Sequence, residues 1–379
     1  MKTETIQTMA GAAVLSSFTY VPILARQVLG VEEIYITLLV GAYATAAFFS
    51  SYIFGRAGDV YGRRIVIRLG LVAAVISFSL LLVSRDFTTL LYVRIANGFC
   101  VGMYPGALAA YAYESKMKMG RYASWGALGW AVGTLLAGYA AGTAIYPAFM
   151  MSSAFFVVAF LAAMTLPPIQ RTGIKVPWFP VETFKRNMSV YLAVFIRHSS
   201  ATAVWTLWPL FLFDLGADSL LIGVVQATNS IAQVVFMVSF TDRLDCRRLI
   251  LLGLVSSSAT FFFFIVAEDI YQIILAQVLL GFAWATLYVG SLKYVTERNV
   301  ERSTASGLLQ SVLSVSGVIG PMIAALIYTL WPGYEPIMLY AAIMSLVALV
   351  VFGFNGKQPE ARSIESMREA AIVEEGHDR

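Results

Sequence analysis

Arg94, Arg197 and His198 are the side chains best placed to do chemistry, because each lies inside a long apolar run where an ionisable group is costly to keep. A guanidinium stays charged at any working pH and grips a carboxylate or phosphate through two parallel N–H bonds. His198 is the one side chain in these runs that titrates near neutral pH. Arg197 heads a helical stripe in which Ala201, Trp205 and Trp208 follow at i+4, i+8 and i+11. Gln277, Gly281, Trp284 and Tyr288 form a similar stripe. A charged or polar anchor between aromatic walls is what a pocket for a small molecule needs. The plainer readings are that the tryptophans pack helices or line a membrane interface, and that the arginines rest on helix carbonyls. His198 sits about 100° round the helix from Arg197.

The missing residues narrow the chemistry further. All 22 Asp and Glu residues fall in loops, at the ends of apolar runs or in the tail. A cationic solute needs a buried negative partner, so two embedded guanidiniums with no embedded carboxylate point to an anion. Gln277 is the expected neutral hydrogen-bond donor beside them. There is no phosphate-cradling glycine loop with lysine. The chain has 2 His (His198 and His377) and no ligand-spaced Cys. No metal, no cofactor, no catalytic triad and no enzyme activity are expected.

The elements that must hold these residues are membrane helices. Hydrophobic residues make up 59% of the chain and charged ones 13%, about half the charged share of a soluble domain. Twelve apolar runs, each near the ~20 residues needed to cross a bilayer, lie roughly at 8–29, 35–55, 65–84, 88–112, 121–142, 147–166, 188–212, 218–240, 249–267, 270–292, 303–330 and 335–354. None alternates like a barrel strand, so an all-α polytopic membrane protein is expected. Loops on one side carry seventeen Lys and Arg; the other side carries Arg26 and Arg85 alone. That asymmetry predicts both termini in the cytoplasm, in a plasma membrane. It also accounts for the net charge of +4, which therefore says nothing of nucleic acid. Cys100 and Cys246 fall in a span and a cytoplasmic loop and cannot pair. The first run reads as a permanent helix, not a cleaved leader.

The chain is written twice. Asp59 and Asp242, Arg94 and Gln277, and Glu114 and Glu297 are each 183 positions apart. The proline-rich, basic stretch at 167–187 (Pro167-Pro168, Arg171, Gly173, Lys175, Pro177, Pro180, Lys185, Arg186) reads as the connector. The expected division is a six-helix bundle at 1–166, the linker at 167–187, a second bundle at 188–355 and a polar tail at 356–379. Two parallel halves rocking about a midplane site make a transporter.

Residues 55–64 read Gly55-Arg56-Ala57-Gly58-Asp59-Val60-Tyr61-Gly62-Arg63-Arg64. This resembles the loop between the second and third spans of the major facilitator superfamily, with Val60 where a basic residue is usual. The second copy keeps Asp242 and the pair Arg247-Arg248 but has Asp245-Cys246 in place of the single glycine. The resemblance covers residues 1–355. It implies the two-bundle fold and a conformational latch. Asp59 would face the start of the eleventh span near Ser303, with Gly62, Arg63, Arg64 and Glu114 beside it and Asp242 and Glu297 as weaker counterparts. It also implies that Arg94 faces the cavity, where the family often ties it to proton handling.

Gly126, Gly129, Gly133, Gly138 and Gly142 form a small-residue stripe suited to close helix packing. The family's antiport signature expects Gly-Pro after this run, but Thr134 follows Gly133; Gly320-Pro321 occurs in span eleven instead. Pro22, Pro105 and Pro209 can kink spans one, four and seven. The leading expectation is a monomeric secondary transporter for a small organic anion, in contact with lipid and with protons as a candidate coupling ion. A drug-efflux transporter with an aromatic cavity stands as the alternative. A non-transporting membrane receptor or lipid-handling protein on the same fold is the reading from another class.

Overall fold

The computed structural model describes residues 2–141, 144–168, 174–217 and 219–355. Arg171, Gly142, Gly173, His377 and the tail from 356 lie outside the described residues. The described chain folds as fourteen α-helices: α1 (Lys2–Phe18), α2 (Val21–Ile23), α3 (Glu33–Val60), α4 (Arg63–Ser79), α5 (Phe87–Met103), α6 (Pro105–Glu114), α7 (Met119–Ala141), α8 (Tyr146–Met164), α9 (Val181–Asp214), α10 (Ser219–Ser239), α11 (Cys246–Val266), α12 (Ile270–Glu297), α13 (Arg302–Leu330) and α14 (Glu335–Asn355).

They form twelve spans in two six-helix bundles. Among the described residues, nine stretches are long and apolar enough to cross a membrane by length and composition alone. The other three spans are α5–α6, α7 and α9. A proline at the start of α6 interrupts the fourth span, so Pro105 breaks the helix where its ring cannot accept the continuing turn. Pro209, by contrast, sits inside an unbroken α9. Pro22 begins a short turn that unwinds into a π-helical stretch, Leu24–Val28. α9 starts at Val181, earlier than the apolar run suggests, because an amphipathic turn, Val181-Glu182-Thr183-Phe184-Lys185-Arg186-Asn187, continues the helix beyond that run.

Backbones approach closely where glycine replaces a side chain. A Cβ on Gly129 would overlap the Thr8 carbonyl and one on Gly133 the Ala12 carbonyl, so the glycine stripe seats α7 on α1. The two bundles meet at the Asp59 end. There Gly55, Gly106 and Gly307 form a flat contact: a Cβ on Gly55 would stand 2.9 Å from the Gly307 Cα, and one on Gly106 equally 2.9 Å. Ser311 Oγ donates to the Phe48 carbonyl at 2.9 Å. Further along, α3 and α13 part, and a Cβ on Gly41 or Gly317 would meet no atom within 4 Å.

Candidate functional site

Three groups of polar residues stand out, one where the bundles touch and one inside each bundle. At the contact, Asp59 is fully buried. Its Oδ1 accepts from the Ser303 backbone N–H at 3.2 Å; its Oδ2 accepts from the Thr304 N–H and hydroxyl, each at 2.8 Å. Glu301, at the head of α13, makes no side-chain cap of its own. A carboxylate from the other bundle thus satisfies the first-turn donors of α13 and meets the positive end of its dipole.

Around Asp59 the charges alternate. Arg63 bonds Asp59 at 3.0 Å and pairs closely with Glu114, which reaches Arg302 across the bundle contact at 3.4 Å. Sequence reasoning gives Arg302 no special place, since it reads there as one more basic loop residue. Arg64 lies half-buried beside Tyr111, outside this alternation. Gly62 has φ +106°, which side chains resist, and it turns the chain from α3 into α4.

The second copy does the same job differently. Asp242 Oδ1 accepts from the Gly120 N–H at 3.2 Å, so it caps α7 of the first bundle. In place of the glycine turn, Asp245 caps α11 by accepting from the Arg248 N–H at 2.9 Å. That explains the departure at Asp245-Cys246: an aspartate cap starts the helix without positive φ. Glu297 ends α12 among Lys293, Arg298 and Asp245.

Deeper in the first bundle, Arg94 is 1% exposed. Its guanidinium lies 4.2 Å from the Tyr43 ring centre and 5.9 Å from that of Phe18. Its Nε and Nη1 have no hydrogen-bond partner. In the second bundle, Arg197 is 2% exposed. Its Nε donates to Ser257 Oγ at 2.9 Å, and the Phe261 and Trp284 rings flank it at 5.7 and 5.6 Å. Its Nη2 has no partner. Among the described residues neither guanidinium has a carboxylate in ion-pair range. Cation–π contact offsets part of the cost of burial but leaves these N–H groups unsatisfied.

Trp284 joins several of the sequence candidates. His198 stacks on it at 5.1 Å and Tyr288 at 5.4 Å, and Gln310 Nε2 donates to the Tyr288 hydroxyl at 3.2 Å. His198 Nδ1 is buried without a partner. Arg197, His198, Trp284 and Tyr288 therefore form one column. Gln277 sits apart, against α10: its backbone carbonyl accepts from Asn229 at 3.4 Å, while its side-chain Nε2 has no partner. Trp205 and Trp208 contact each other edge-on at 5.3 Å and pack on Phe264; Trp208 lies 4.7 Å from that ring and 5.5 Å from Phe211. They hold α9 to α11. No cluster able to hold a metal occurs among the described residues.

The sequence profile of the Major Facilitator Superfamily matches residues 6–185 and 190–374, one match for each copy. The chain belongs to the major facilitator superfamily. It is therefore a membrane transporter of that superfamily, which is not a family of enzymes. Among curated relatives, the class B tetracycline resistance protein of Escherichia coli is 25% identical over 83% of this chain and 85% of its own length. The quinolone resistance protein NorA of Staphylococcus aureus is 23% identical over 86% and 88%. The multi-drug resistance efflux pump PmrA of Streptococcus pneumoniae is 24% identical over 83% and 85%. Among solved structures, the human organic anion transporter MFSD10 (TETRAN) superposes with a TM-score of 0.73 at 16% identity, over 92% of this chain and 98% of that one. A mutant of the nucleoside transporter NupG gives 0.65 at 14%, over 93% and 98%. At these identities the two structures speak for the superfamily fold alone.

Proposed function

We propose that this superfamily member moves a small organic anion with an aromatic or apolar body across the membrane by alternating access. The observation that carries the reading is the pair of buried guanidiniums, Arg94 and Arg197, with N–H groups that no protein acceptor satisfies. An arriving carboxylate would supply what they lack. The Trp284 column would receive the ring, with Tyr288 and His198 as its other members, and Gln277 Nε2 would add a donor. Trp205 and Trp208 support the cavity wall from behind.

Asp59, Gly62, Arg63 and Glu114, with Asp242 in the second copy, serve as the latch that closes one face, and Arg64 and Glu297 flank it. That face is cytoplasmic, both termini lie there, and the monomer works in the plasma membrane. The rocking bodies are residues 1–166 and 188–355, joined through 167–187. If protons are coupled, His198 or the substrate carries them.

A second reading is favoured by the curated relatives. Their names describe resistance proteins and an efflux pump, which supports outward movement of hydrophobic compounds through the same aromatic column. A thermal-shift screen of the purified protein separates the two. Carboxylates and phosphates are set against lipophilic cations, and a ligand at 100-fold over its dissociation constant adds about 2.7 kcal/mol. Stabilisation by an anion that disappears in Arg94→Gln and Arg197→Gln is the expected result. Stabilisation by lipophilic cations alone, unchanged in both variants, would replace the anion reading with the efflux one.

A further inference from the structure

Residues 176–184, which lead from α8 into α9, form an exposed apolar ledge at the Asp59 end. Val176 is buried, but Trp178 and Phe179 are 63% and 78% exposed. The first turns of α9 add Val181, Phe184 and Met188, all exposed and spaced by three and four residues, hence on one helix face. The ledge is pinned to α3. The Tyr52 hydroxyl donates to the Trp178 carbonyl at 2.5 Å. Arg56 Nε donates to the Val176 carbonyl at 2.8 Å and to that of Pro177 at 3.2 Å, and its guanidinium stacks 4.2 Å over the Trp178 ring. Pro180 then opens α9.

The placement says what covers this surface. α3 exposes Phe49 and Ile53 on the stripe that runs down to Arg56. In a spanning bundle that stripe faces lipid, as Met188 does on α9. The ledge joins the two stripes at the level where both end, one from each bundle. Tryptophan favours that level, and an arginine there keeps its stem in apolar surroundings and its head among headgroups. The charges around the ledge are Arg56, Lys175, Glu182, Lys185 and Arg186. Arg186 pairs with Glu301 at 3.4 Å, which leaves the rim net positive.

We propose that residues 176–184 dock into the headgroup layer of the adjoining leaflet and select anionic lipid, with Trp178, Phe179, Val181 and Phe184 inserted and Arg56 and Lys185 meeting the headgroups. The inference needs this end of the spans to lie at a membrane surface, whichever compartment it faces, and is independent of the solute. It gives the segment a role beyond tethering: lipid bound here touches α3 and α9 together, across the seam between the bundles.

The test is nitroxide accessibility in vesicles. Phe179→Cys and, as a water-facing control, Lys118→Cys are labelled in a background lacking Cys100 and Cys246. Collision rates with oxygen and with a polar nickel chelate are compared in phosphatidylcholine and in phosphatidylcholine mixed with phosphatidylglycerol. The expected result is a higher oxygen-to-nickel ratio at 179 than at 118, rising further with the anionic lipid. Lys185→Gln, which keeps the Arg56 clip, should shrink that rise. A label at 179 that collides with nickel as freely as the label at 118 overturns the proposal, as does a ratio at 179 indifferent to lipid charge.

Discussion

Asp59→Asn should open the closed face, and the structure sets the size of the effect. Arg63 and Glu114 belong to the same bundle as Asp59, so their mutual contacts survive when the bundles part. Within this charge cluster, the contacts that cross between bundles and so bias the equilibrium are Asp59 to Ser303 and Thr304, and Glu114 to Arg302. Asparagine keeps one carbonyl oxygen for α13 but loses the second acceptor and the charge. A carboxylate at a partly buried helix start contributes up to ~2 kcal/mol, and a hydrogen bond to a charged group about 1.5–3 kcal/mol. Much of this is shared, so the closed state should weaken by roughly 2–3 kcal/mol, a shift of about 30- to 150-fold in the population ratio. Spin labels at Tyr61 and Arg248, 60% and 73% exposed, report the distance between bundles at this face. The distribution should move to longer distances in Asp59→Asn. An unchanged distribution in a folded variant would refute the assignment of these crossing contacts as the closing interaction.

Other outcomes follow from the same geometry. A Cβ at Gly98 would collide with the Tyr43 carbonyl, so Gly98→Ala should destabilise by about 1–3 kcal/mol, seen as a lower thermal midpoint in detergent. Because Tyr43 also faces Arg94, the same variant should lose anion-induced stabilisation. Gly62→Ala places a side chain at φ +106° and should cost about 1–2 kcal/mol in the same unfolding assay, without removing any charge of the latch. Asp86 caps α5 by accepting from the Thr89 N–H at 2.9 Å, a bond that holds its carboxyl below the usual carboxylate range. Its stabilisation is complete above the unfolded value of about 4 and is lost as pH falls through the lowered folded value. The gap in thermal midpoint between wild type and Asp86→Ala should narrow with acidification; a constant gap refutes the cap.

Much of this was legible because membrane sequences punish misplaced polarity. Arg94 and Arg197 stood out by charge alone, and Asp59 by its place in a motif whose glycine the backbone requires at φ +106°. What could not be read was which neighbour each side chain meets. Helical spacing placed Trp208 on the same stripe as Arg197, but did not show that three turns further along this stripe meets Phe264 of α11. Gln277 carried the right chemistry and the right position in the second copy, but the sequence did not show that its backbone carbonyl would accept from Asn229 of α10 while its side-chain Nε2 stays without a partner. Tyr43 and Phe18, which cradle Arg94, gave no signal because an aromatic in an apolar span is unremarked. Ser257, the acceptor for Arg197, was one serine among Ser256, Ser257 and Ser258.

The crossing caps have a further consequence for how the molecule is put together. Asp59 of the first bundle completes α13 of the second, and Asp242 of the second completes α7 of the first. Each bundle thus carries a helix start whose first-turn N–H groups are met by an acid of the other. The exchange is a mutual address: it specifies partner, orientation and register from both sides at once. For that mating alone, the stretch between α8 and α9 need only keep the bundles near each other. Correct mating is written in the two acids, and the instruction survives even where the two copies have drifted apart around them.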